Sequence, residues 1–186
     1  MNGFSSIHSY LLKVLRDIVA FSEERLDMAV KTVEPSVDAV DLRILRLLQE
    51  DGRITNQELA SRAGLSPAAC FDRVKRLRGS GVILGYTALL DPAKLRRALL
   101  IFVEVVLDRT TDDVFTAFAA RVTDIPEVLE CHMVAGGFDY LLKVRVADMA
   151  AYRGFLGDIL TSIPGVRETR TYAVLEEVKA TTRLPI

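Results

Sequence analysis

Apolar residues recur at helical spacing over three short stretches in the first half of the chain. Val40, Ile44, Leu47 and Leu48 share one face, predicting a helix to about Glu50. Asp51-Gly52 ends it, with Gly52 suited to a left-handed cap. A second helix is expected over about 56–63, with Thr55 as its N-cap. Gly64-Leu65 turn the chain tightly. Ser66 then caps a third helix whose first turn holds Pro67, where the missing N–H costs nothing. It runs to about Arg78 and stops at Gly79-Ser80-Gly81.

Beyond Gly81 the period shifts toward strands. Val82–Leu90 predicts a strand, followed by an irregular connection over 91–97 that marks a domain boundary. Then come a strand (99–107), a helix (about 112–123), a strand (128–134), a Gly-Gly turn, a strand (140–146), a helix (about 148–160) and a strand (166–175). Ile125-Pro126-Glu127-Val128-Leu129-Glu130 is echoed 38 residues later by Ile163-Pro164-Gly165-Val166-Arg167-Glu168. Two copies of strand–helix–strand make a ferredoxin-like βαββαβ unit with helices on one face. Its other face needs a cover, and a second subunit is the simplest. The fold class is α+β.

Residues 1–36 stand apart as an N-terminal extension, ahead of a helical domain over 37–97 and a second domain over 98–186. Phe4, Ile7, Leu11, Val14, Leu15, Ile18 and Val19 fit an amphipathic helix. Lys13, Arg16 and Asp17 interrupt it too soon for a secretory signal. It reads equally as a packing or oligomerisation arm or as sequence ahead of a true start at Met28. Glu34-Pro35-Ser36 reads as a linker.

Composition sharpens the picture at a few points. The chain is 50% apolar, yet no run approaches the roughly 20 residues of a membrane helix. Net charge is −1, which by itself points to no nucleic acid. Residues 53–78, however, hold Arg53, Arg62, Arg73, Lys75, Arg76 and Arg78 against Glu58 and Asp72, a local +4 on an acidic remainder. Cys70 and Cys131 are too isolated for a disulfide framework or a metal site and read as reduced, buried thiols of a cytoplasmic protein. His132 follows Cys131 on a strand, so the two face opposite ways. No cofactor, metal or membrane partner is expected.

The third helix carries the candidate chemistry. Cys70, Val74 and Leu77 form its apolar stripe; Ala69, Asp72, Arg73 and Arg76 are read as the opposite one. Ser66, Pro67, Ala68 and Ala69 are small enough for the helix start to approach base edges, and its free N–H groups can take phosphate. Arg73 and Arg76 can reach guanine edges or phosphates, while Lys75, Arg78 and Asn56 flank the groove. The plainer reading is a solvated basic helix face, and Asp72 favours it. The preceding helix-turn-helix frame favours duplex DNA, with this helix in the major groove.

Several segments resemble one family. Asp51-Gly52-Arg53-Ile54-Thr55-Asn56, Leu59-Ala60, Gly64-Leu65-Ser66-Pro67, Cys70, Arg73-Val74, Arg76-Leu77 and Gly81-Val82-Ile83 look like the helix-turn-helix signature of the leucine-responsive/AsnC (Lrp/AsnC) regulators. Gly85-Tyr86-Thr87-Ala88-Leu89-Leu90 resembles that family's hinge strand. Glu130-Cys131-His132, Gly136–Leu142 and Thr169-Arg170-Thr171-Tyr172 resemble its ligand-domain motifs, nearest the leucine-responsive branch. The resemblance covers about 37–185. It implies a winged helix-turn-helix followed by a ferredoxin-like effector and oligomerisation domain, dimers closing into tetramers or octamers, and an amino-acid effector held between dimers. Carried over by position, the effector residues are Met133, Gly136, Gly137, Asp139, Met149, Tyr172 and Val174. Asp139 would meet the ammonium group, and the glycines would bring backbone N–H donors to the carboxylate. Gly137 departs from the family, which commonly has an acidic residue there. Without the resemblance, Gly136-Gly137 is simply a hairpin turn with Asp139 as its flank.

No enzyme is expected. Gly154 and Gly157 lie inside a predicted helix without the rest of a nucleotide fingerprint, and Asp139 with His132 makes no supported acid–base pair. The alternative to a DNA-binding regulator is an amino-acid-binding oligomerisation module with a degenerate helix-turn-helix.

Overall fold

A computed structural model describes residues 36–108 and 112–186. Apart from Ser36, the expected N-terminal extension lies outside them. The described chain forms two compact units. One holds residues 36–89 and, returning from the far end, 180–186; the other holds 90–179. The division thus falls after Leu89 rather than after Arg97, and residues 91–97 stay with the second unit, where Arg145 Nη1 donates to Arg97 O at 3.3 Å.

The first unit holds α1 (Ala39–Glu50), α2 (Asn56–Ala63) and α3 (Pro67–Gly79). Each helix begins on a side-chain cap. Asp38 accepts from the backbone of Val40 and Asp41, and the Asp41 carboxylate accepts in return from Asp38 N, a reciprocal cap that satisfies otherwise free donors. Thr55 caps α2 through Glu58 N, and Ser66 caps α3 through Ala69 N, with Pro67 in the first turn. Gly64 ends α2 at φ 74°, the conformation a glycine tolerates best. Ile44, Leu47, Leu59, Ala60, Ala63, Cys70 and Leu77 close the core between the helices. Residues 180–186 complete this unit: the Gln49 side chain donates to Leu184 O and accepts from Leu184 N, and Arg46 Nε donates to Ile186 O.

Two expectations fail here. Gly52 does not adopt a left-handed cap; Asp51 occupies the cap position in extended conformation. The role of Gly52 is steric, because a Cβ there would stand 3.1 Å from Tyr86 Cδ1. No strand forms over 82–90, where Leu84, Leu89 and Leu90 lie exposed. A strand needs a hydrogen-bonding neighbour, and one copy of the chain offers none there.

The second unit contains β1 (Leu99–Leu107), α4 (Asp112–Thr123), β2 (Val128–Met133), β3 (Tyr140–Val146), α5 (Met149–Gly154) and β4 (Val166–Ala173). The sheet order is β2-β3-β1-β4, antiparallel throughout, the expected ferredoxin-like arrangement. The internal repeat is structural as well as sequential. At its first corner Val128 N donates to Ile125 O at 3.1 Å, and at its second Val166 N donates to Ile163 O at 3.2 Å. Alternate residues of β1 and β3, from Ile101 to Leu107 and Tyr140 to Val146, pack against Phe118, Val122, Tyr152, Phe155 and Leu160. The helix expected to run to Leu160 instead widens after Gly154 into a π-helical turn over Phe155–Leu160. That turn lets Leu160, five residues on, share the buried side with Phe155.

Candidate nucleic-acid interface and effector surface

Two of the three arginines of α3, Arg73 and Arg76, are drawn toward a carboxylate. Asp41 is fully buried on α1, and a buried charge must be paired. Arg73 Nη1 donates to Asp41 Oδ1 at 2.9 Å and to Asp38 Oδ2 at 2.6 Å; Arg76 Nη2 donates to Asp41 Oδ2 at 2.6 Å. Arg76 Nη1 also reaches Ser36 O. Burial pushes the Asp41 carboxyl up, but the hydrogen bonds from Arg76, the Asp38 backbone and Arg73 together hold it below the usual value. Arg73, bonded first to Asp38, is held more firmly protonated.

This network rearranges the faces of α3. Ala69 and Arg73 are half-buried, so the line Ala69–Arg73–Arg76 is a flank turned to α1 rather than the stripe opposite the core. The outward stripe is Ala68, Phe71, Asp72, Lys75 and Arg78. Asp72 belongs to it as expected; Phe71, 58% exposed, was not anticipated. Asp38 and Asp41 were also overlooked, though an acidic residue repeated at three-residue spacing ahead of an apolar run is a legible capping signal. Around the stripe, Asn56 Nδ2 donates to Pro67 O at 2.8 Å and joins the starts of α2 and α3. The Arg78 guanidinium sits 6.0 Å from the centre of the Tyr86 ring.

In the second unit the effector candidates fall into two groups. Met133 pairs with Tyr140, which pairs with Val105, and Gly136, Gly137 and Asp139 lie just beyond in the β2–β3 connection. Tyr172 pairs with Phe102, Val174 N donates to Leu100 O, and Met149 follows β3 where Val146 meets Leu99. Met133 is thus level with Val105, whereas Tyr172 is level with Phe102 and Val174 with Leu100, and Met149 lies beyond Leu99, so the groups are offset along β1 by about 10–20 Å at strand rise. A single chain does not bring them together.

Gly136 and Gly137 form a bend without left-handed backbone, and a Cβ at either would meet nothing within 4 Å. What they leave is open space. Asp139 has structural work of its own: its Oδ2 accepts from Leu107 N at 2.7 Å, beside the irregularity where β1 meets β4. Tyr172 donates its hydroxyl to Glu104 Oε1 at 3.0 Å, which raises the phenol pKa. Cys131 is exposed, contrary to expectation, as is every residue of edge strand β2 after Val128; Cys70 is buried, and both are free thiols. No group of three metal-binding side chains occurs among the described residues. No described helix is long and apolar enough to cross a membrane.

Comparison with known proteins gives the same two parts. Residues 37–83 match a model described as winged helix-turn-helix DNA-binding, and residues 100–184 match the Lrp/AsnC ligand binding domain. The chain is 55% identical over 150 residues to the leucine-responsive regulatory protein of Salmonella typhimurium, covering 81% of this chain and 92% of the relative. It is similar to a transcriptional regulator from Neisseria meningitidis solved as an L-Met complex, at 42% identity and TM-score 0.77, over 81% of this chain and 97% of that one. It is also similar to a feast or famine regulatory protein from M. tuberculosis complexed with L-methionine, at 37% identity and TM-score 0.72, over 80% and 99%. These relatives are regulators of transcription, not enzymes. With its caps, helices and ferredoxin-like sheet in family order, the chain belongs to the Lrp/AsnC family of DNA-binding transcription regulators.

Proposed function

We propose that this regulator works in the cytoplasm as a dimer, or as dimers closed into a tetramer or octamer, with α3 of each protomer in the major groove and an amino acid as effector. Ser66, Pro67, Ala68 and Ala69 let the start of α3 approach the duplex closely, and Asp72 and Lys75 face it from the outward stripe. Asn56 and Arg78 lie beside the groove, and Arg73 and Arg76 turn the N–H donors left over from Asp38 and Asp41 toward the backbone.

The observation that carries the effector reading is the separation of the two groups along β1. Met133, Gly136, Gly137 and Asp139 come from one chain, and Met149, Tyr172 and Val174 from another, so the pocket exists only in the assembly. Ligand binding then couples directly to oligomerisation, because the ligand binds only the arrangement that forms its site. The L-methionine bound by two relatives supports a free amino acid as the class.

Gel shift with the protein's own upstream DNA, over a salt series and with a panel of free amino acids, tests this together with sedimentation. Expected are steep salt dependence and a change of both DNA affinity and assembly with one amino acid. Assembly and DNA binding indifferent to every amino acid would remove the effector from the scheme.

A further inference from the structure

We propose that Phe71 reads sequence directly, by laying its ring edge against a thymine C5-methyl group in the major groove. The proposal rests on the DNA-binding reading of α3. Phe71 sits in the second turn of the 13-residue α3, one residue past the buried Cys70, and 58% of its surface is exposed. Its neighbours along the outward stripe are Ala68 before it and Asp72 and Lys75 after it. Ala68 offers only a methyl group, so nothing on the helix shields the ring from an approaching surface.

Two physical points select the ligand. The first is that the stripe is wrong for phosphate at its centre: an apolar ring gives no donor, and the Asp72 carboxylate repels the backbone. Both suit the groove floor, where thymine presents a methyl group and cytosine an amino group. The second is that two of the four cations of α3 are already committed. Arg73 and Arg76 hold Asp41, which fixes the helix on α1 and leaves the outward stripe to meet the bases. An exposed phenyl ring in water is unfavourable, and contact with a methyl group withdraws both from solvent.

The test uses the full chain and duplexes selected by it from a random pool. Each thymine of a selected site is replaced in turn by uracil, which removes the methyl group and keeps the base pair. Wild type should lose about fourfold in affinity at one thymine per half-site, the worth of one methyl group withdrawn from water. Phe71→Ala should bind thymine and uracil duplexes equally at that position while keeping the wild-type salt dependence, since the ring neutralises no phosphate. Phe71→Gln, a polar helix former at an exposed position, gives the same comparison if Phe71→Ala fails to fold. The proposal is overturned if no thymine is sensitive to loss of its methyl group. It is equally overturned if both variants retain the wild-type discrimination, or if they change assembly while discrimination stays. Failure of the full chain to select any duplex would instead remove the DNA-binding reading beneath it.

Discussion

Asp41 and Arg76 join α1 to α3 through a 2.6 Å ion pair whose carboxylate is wholly closed from solvent and whose guanidinium is not. That asymmetry decides which substitution is worse. Removing Asp41 leaves two arginines that can return to water. Removing both Arg73 and Arg76 leaves a buried carboxylate with the Asp38 N–H but no counter-charge, which costs about 3–5 kcal/mol. The double variant Arg73→Ala/Arg76→Ala should therefore lose more amide protection in α1 and α3 than Asp41→Ala, as measured by native-state hydrogen exchange. Equal losses would mean that the carboxylate stays hydrated.

Acid should loosen the same helices. Asp38 is held below its usual value of 3.8 chiefly by Arg73, and Asp41 is also held below it, its burial outweighed by Arg76, the Asp38 backbone and Arg73. Carboxyls depressed in the folded state stabilise it fully above their unfolded pKa and cease to do so as pH falls through the folded values. Protection of α1 and α3 is thus expected to hold steady from neutrality to about pH 5 and to fall below pH 3.8. In Asp41→Asn that acid limb should shrink.

One pair of variants separates the bond that Asp139 accepts from Leu107 N from its proposed role as ammonium partner. Asn at 139 can still accept from Leu107 N but carries no charge for an ammonium group. Asp139→Asn should keep the melting temperature of the second unit and lose the amino-acid response. Asp139→Ala should lose both, the stability by about 1–3 kcal/mol for a part-buried donor left unpaired. Retained response in the Asn variant would place the ammonium partner elsewhere.

The last residues of the chain should matter to the first helix. Deleting residues 182–186 removes the bonds of Leu184 and Ile186 to Gln49 and Arg46. Exchange of α1 amides should quicken by about tenfold, the worth of one or two net hydrogen bonds, with the sheet unaffected. Unchanged exchange would mean that the tail contributes nothing to α1.

Much of the fold is legible without coordinates because its signals are local. Thr55, Ser66-Pro67 and Gly64 mark helix limits through their own backbone preferences, and the two Ile-Pro corners announce the repeat in the sheet. What escapes is non-local. Whether Arg73 meets DNA or a carboxylate depends on Asp38 and Asp41, 35 and 32 residues away. Reading the charges of α3 alone therefore rotated its outward face by about one residue and hid Phe71. Gly52 looked like a cap because Tyr86, its steric reason, lies on a different segment. The strand expected over 82–90 is extended chain whose partner a single sequence cannot supply. The effector positions were carried over by resemblance; their separation along β1 emerged only once the strand order was known.

Because residues 180–186 finish the helical unit, its synthesis and its completion are separated in time. About 90 residues intervene between Leu89 and Ala180, which at roughly 5–20 residues per second occupies a ribosome for about 5–20 s. Through that interval the nascent helices stand without their final segment. The bonds that Leu184 and Ile186 make with Gln49 and Arg46 are therefore among the last contacts of that unit to form, after the whole sheet has been made.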